Sequence, residues 1–118
     1  MELQKLYDMA NEYCNFSCTP SNKKYKAGEI IDEEKSVRWN REEVERRNNL
    51  RIEEVKRLGL ERQLLFKNFN ESVRQYIVER AGVSSDNAER IYNYVHNLGD
   101  SLKDMLDLLD ELLYLFNY

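Results

Sequence analysis

Apolar residues recur along this chain at helical spacing. Leu3, Leu6, Ala10 and Tyr13 fall at alternating intervals of three and four and line one face, which predicts a short helix over residues 1–16. Residues 17–38 break the pattern with Pro20, Gly28, the cluster Lys23, Lys24 and Lys26, and the acidic run Asp32-Glu33-Glu34, and they read as an irregular connector. Within it only residues 27–31 could form a strand or an extended arm, and no second strand is in view to pair with it. A long helix is expected over 39–81, with Asn40 as its N-cap, Glu43 reaching back to the cap, and Trp39 and Val44 forming a hydrophobic staple. Its apolar phase runs through Ile52, Val55, Phe66, Phe69, Val73 and Tyr76, interrupted by Gly59 and Arg62. The phase is the same on both sides of Gly59, which favours one continuous helix over two that bend there, with Gly82 as the residue that ends it.

The C-terminal stripe is longer. Ile91, Val95, Leu98, Leu102, Met105, Leu109, Leu112 and Phe116 follow a 4-3 rhythm, predicting a single coiled-coil-like helix over 85–117, capped by Asp86 and uninterrupted at Gly99. Leu106, Leu108, Leu113 and Leu115 widen its apolar face beyond the arc that one core contact covers. Self-association through Leu102, Met105, Leu106, Leu109, Leu112, Leu113 and Phe116 is therefore expected. The fold class is all-α: one domain over 1–118, a helical hairpin or bundle, forming a homodimer.

Composition narrows the class. The 118 residues carry 18 basic and 22 acidic side chains, a net charge of −4, and 42% hydrophobic residues. With a mean hydropathy of −0.78 the chain is too polar for a membrane span and too apolar for a disordered tail. No charged-then-apolar leader follows Met1, so a cytoplasmic setting is the expectation. Four glycines and one proline speak against a fold of many tight turns. Residues 38–62, with eight basic and six acidic side chains, form the only candidate phosphate-contacting stretch. Glu42/Arg46, Glu43/Arg47 and Glu53/Arg57 stand there at the i,i+4 spacing of a solvated helix.

Candidate chemistry is sparse. Cys14, Cys18 and His96 are the only thiol and imidazole groups, one ligand short of a closed structural zinc site, so no metal or other cofactor is expected. The isolated glycines exclude a phosphate-cradling loop, and no G-x-S-x-G turn exists. Arg90 and His96 stand at an R-x5-H spacing that resembles the signature of the HEPN superfamily of metal-independent ribonucleases. That resemblance implies action of the two residues on the scissile phosphate and the 2′-hydroxyl across a dimer cleft. It departs from the family at Ile91, where a polar residue usually follows the arginine, and at Leu98, where tyrosine usually stands.

Residues 73–98, a helix followed by Ala81-Gly82-Val83-Ser84 and then Ala88, Ile91 and Val95, resemble the hairpin that opens the histone-like HU and IHF proteins. What that likeness implies is an αα-hairpin that can dimerise, without the β-arms that grip DNA in that family. Residues 32–40 resemble segments of small proteins encoded by bacteriophages and mobile elements, which implies an accessory protein that binds a host or phage protein. The function expected is non-catalytic protein–protein interaction, as an inhibitor, adaptor or assembly factor, with Trp39, Arg46, Arg47 and Arg51 as partner contacts. The competing expectations are the Arg90/His96 ribonuclease and a nucleic-acid binder acting through residues 38–62.

Overall fold

The structure is a computed structural model that describes residues 2–116, the side chain of Phe116 excepted. All regular structure among the described residues is helical: α1 (Leu3–Asn15), α2 (Val37–Ala81), α3 (Ser85–Leu98) and α4 (Leu102–Phe116). The chain divides into two compact units, Ser17–Arg62 and Met1–Phe16 with Gln63–Tyr118, and α2 contributes residues to both. We call these the strap unit and the core unit.

The core unit is a helical bundle around one apolar centre. Leu6 and Ala10 of α1, Phe69, Val73, Tyr76 and Ile77 of α2, Ala88, Tyr92 and Val95 of α3, and Met105, Leu106, Leu109 and Leu113 of α4 are buried together. Removing this apolar surface from water is the main force that holds the bundle, at about 25 cal/mol per Å². The second half of α2 and α3 form an antiparallel hairpin. It is marked by the Tyr92 hydroxyl donating to Asn70 Oδ1 and by Arg74 and Glu89 at 3.8 Å. Gly82, at φ +65°, ends α2 in the left-handed conformation expected of it, and its N–H returns to the Val78 carbonyl at 3.0 Å. Across the bundle the Tyr7 hydroxyl donates to Asp107, which also accepts from Lys103 Nζ at 3.0 Å.

Three expectations about helix ends are corrected. The long C-terminal helix is two helices: Gly99 is extended, and Ser101 caps α4, its Oγ accepting from Asp104 N at 3.1 Å. A Cβ at Gly99 would stand 2.8 Å from Met105 N, so the absence of a side chain lets the connection lie against the backbone of α4. The last residue of the expected helix, Asn117, lies outside the described residues. Helix α3 is capped by Ser84, whose side chain accepts from Asn87 N, while Asp86 sits in the first turn. Finally, α2 begins at Val37 with Ser36 as its cap, the Oγ accepting from Trp39 N at 3.0 Å. Asn40 is thus inside the helix, and the staple is absent because Trp39 and Val44, five positions apart, diverge by about 140° around it.

Helix α2 is continuous through Gly59, as the unbroken phase predicts. The connector is irregular over residues 16–36, and residues 27–31 form a turn rather than a strand, with Gly28 at φ +81° and Glu29 N bonded to the Lys26 carbonyl.

Candidate functional site: a strapped helix

In the strap unit the connector runs along α2 in the opposite direction, pegged at successive turns. The Cys18 thiol lies 4.0 Å from the Leu58 carbonyl, Ser21 Oγ donates to Glu54 at 3.4 Å, and Arg51 Nε donates to the Asn22 carbonyl at 3.1 Å. Asn48 then grips both backbone groups of Tyr25: its Oδ1 accepts from Tyr25 N at 2.9 Å and its Nδ2 donates to Tyr25 O at 3.0 Å. Last, Asn40 Oδ1 accepts from Ile31 N and Asp32 N at 2.8 and 2.9 Å. The Asn40 Nδ2 group donates to the carbonyls of Asp32 and Ser36 at 3.0 and 2.9 Å. Asn40 is 2% exposed and is the buried polar residue of the described chain. A buried amide is tolerated because every polar atom it carries is partnered.

The tryptophan and three arginines expected at a partner interface divide by role. Arg47 donates to Glu43 and, at 3.0 Å, to the Tyr25 hydroxyl, and its guanidinium lies 5.6 Å from that ring; Arg51 holds Asn22. These two fasten the strap. Trp39 and Arg46 are seven positions apart, hence within about 20° of each other around α2. Leu50, four positions further on, belongs to the same stripe and is 45% exposed. Arg46 pairs with Glu43 yet keeps most of its side chain in solvent, and Lys35 Nζ lies 5.9 Å from the centre of the half-buried Trp39 ring. Between them Arg46 and Arg47 hold the Glu43 carboxyl well below its usual range, at about 2.

The expected basic stretch is largely offset within its own helix. Arg38 pairs with Glu42, Arg46 and Arg47 with Glu43, and Arg57 with Glu54 and Glu61. Glu42 and Glu53 therefore have partners or surroundings other than the Arg46 and Arg57 that i,i+4 spacing assigned to them.

Arg90 and His96 are both exposed on α3, and six positions place them about 120° apart around it. The His96 ring stacks on Tyr92 at 5.6 Å. Of the side chains expected to drive self-association, Met105, Leu106, Leu109 and Leu113 are buried in the core of their own chain. Leu102 and Leu112 pack against that core, and the Phe116 side chain lies outside the described residues. The face from which dimerisation was argued is thus occupied within one chain. Cys14 and Cys18 are free and exposed, and among the described residues no group of three or more His, Cys, Asp or Glu is placed to hold a metal ion. No described helix is long and apolar enough to cross a membrane.

The chain matches no family model, no curated protein and no solved structure. Sequence reasoning missed Asn40 and Asn48 as the pegs of the strap; their eight-residue spacing on one helix face is the signal that was present.

Proposed function

We propose that the protein acts by non-catalytic binding of a partner protein, through the face of α2 in the strap unit that carries Trp39, Arg46 and Leu50. The observation that supports this reading is the division of labour on that helix. One stripe holds the chain's own strap by hydrogen bonds, whereas the side chains of Trp39, Arg46 and the exposed Leu50 make none to it, touching it at Lys35 and beside Tyr25. Tryptophan and arginine are the residue types that most often dominate binding energy. A helix whose neighbouring connector is fixed by one buried and one half-buried amide is also rigid, so little ordering cost opposes association.

The test is capture and photo-crosslinking with a probe placed at position 50, comparing wild type, Trp39→Ala and Leu50→Glu with Arg90→Ala and His96→Ala. Loss of at least about 2 kcal/mol of binding, roughly thirtyfold, is expected for Trp39→Ala, the range of an interfacial hot spot. Capture that is indifferent to Trp39 and Leu50, or that depends on Arg90 and His96, overturns the reading.

A further inference from the structure

A second site lies on another face of the same helix. Arg41, Glu45 and Asn49 stand one turn apart beside a cleft of about 400 Å³ that has Val44 as its apolar floor and the turn at Ala27 and Gly28 as its wall. Arg38 and Glu42, and Arg57 and Glu61, close ion pairs across the same four-residue interval. Arg41 and Glu45 do not, and neither they nor Asn49 make a side-chain hydrogen bond or ion pair with any described residue. The cleft therefore offers a cation, an anion and an amide in a row along its exposed rim, beside the buried Val44.

Spacing defines what fits. Four residues of helix advance about 6 Å. Two residues of extended chain advance about 6.6 Å and bring side chains back to the same side. An extended segment lying along α2 can thus keep step with successive turns, and Asn40 and Asn48 show that side chains of this helix fix main-chain groups of a segment beside it. We infer that the cleft binds a short extended segment of another polypeptide that carries an acidic residue facing Arg41 and, two positions away, a basic residue facing Glu45. A nucleic-acid backbone or an anionic membrane would set like charge against Glu45. This site is separate from the Trp39 face and stands without it.

The experiment is a titration of the isotopically labelled full chain at low salt with three capped pentapeptides: Ala-Asp-Ala-Lys-Ala, its Asp/Asp counterpart and its Lys/Lys counterpart. The mixed peptide is expected to move the backbone signals of residues 27, 28 and 41–49 saturably, and to bind at least about tenfold more tightly than either like-charged peptide, a difference of about 1.4 kcal/mol. Arg41→Glu should transfer the preference to the Lys/Lys peptide, and Glu45→Arg to the Asp/Asp peptide. Circular dichroism checks the helix content of each variant, and Glu45→Gln, which should erase the discrimination between mixed and Asp/Asp peptides, serves if a charge reversal unfolds the chain. No saturable shift at millimolar peptide, equal binding of all three, or a preference that survives the substitutions overturns the inference. Since only peptides are titrated, its failure leaves the Trp39 reading to its own assay.

Discussion

Asn40 occupies a position where a helix facing a core would carry an apolar residue. Its carboxamide satisfies the two N–H groups of Ile31 and Asp32, which nothing else in the strap reaches. Asn40→Ala should therefore cost about 2–3 kcal/mol, the penalty of unpaired buried donors, read as a lower urea midpoint together with faster hydrogen exchange at residues 31 and 32. Asn40→Asp should not rescue it at neutral pH, because the Nδ2 donors face carbonyl oxygens that a carboxylate would repel. The same residue shows the limit of legibility at this scale. Ser36 and Asn40 are both cap types one turn apart, and with the acidic Glu43 following, the pattern fits a start at either. Only the location of the strap, a long-range fact, puts the cap at Ser36. The Tyr7 and Asp107 pair makes a second prediction. Asp107 is held below the ordinary carboxylate range, first by the Tyr7 hydroxyl and then by Lys103. A carboxylate depressed in the folded state contributes stability that is present above its unfolded value near 4 and is lost as pH falls through the lower folded value. Tyr7→Phe removes the larger cause, so thermal midpoints measured from about pH 6 down to about pH 2 should fall less steeply for the variant than for wild type.

At the scale of elements, the two interior glycines have opposite meanings. Gly59 lies in continuous helix with nothing within 4 Å of where a Cβ would stand. Gly59→Ala should stabilise the protein by about 0.5–1 kcal/mol through helix propensity and the unfolded chain. Gly99→Ala drives a Cβ into the backbone of Met105 and should lower the melting temperature clearly, since neither Met105 N nor its Cα can move without displacing the start of α4. Calorimetry of the two variants side by side checks both signs. The helices themselves were legible because their apolar periodicity is strong. The break at Gly99 was not, because three non-helical residues between Leu98 and Leu102 leave the 4-3 rhythm intact while changing the direction of the chain. Leu98 shows the consequence: it is in phase with the seam and yet 56% exposed. The local signal was Ser101 followed three residues later by Asp104, a cap signature hidden inside an apolar stripe.

For the whole molecule, charge follows the division into units. The strap unit has twelve basic and ten acidic side chains, and the core unit has six basic and twelve acidic ones. The net acidity of the chain therefore belongs to the core unit. With Met105, Leu106, Leu109 and Leu113 inside the bundle, light scattering over a concentration series is expected to give the mass of one chain, 14.2 kDa. Twice that mass would move self-association to the exposed side chains of Ile52, at 51%, and Val55, at 40%, which continue the apolar phase of α2 without a described neighbour to bury them. What the sequence could not show at this scale is which stretch of α2 is covered: Ile52 and Val55 have the same period as Phe69 and Val73, and only packing tells a core position from a bare one.

The pegs of the strap have one property in common. Asn40, Asn48 and Arg51 all reach for main-chain groups of residues 22–36, not for their side chains. The path of the connector is thus written in the helix, and its own letters are mostly free. Substitutions among the exposed positions at 24, 26, 33 and 34 can accumulate without moving the backbone, while a single change at Asn40 or Asn48 cannot. Such a segment can present a changing surface at a fixed address, which makes residues 22–36 a natural place to graft or diversify a recognition sequence while the helix beneath keeps it in register.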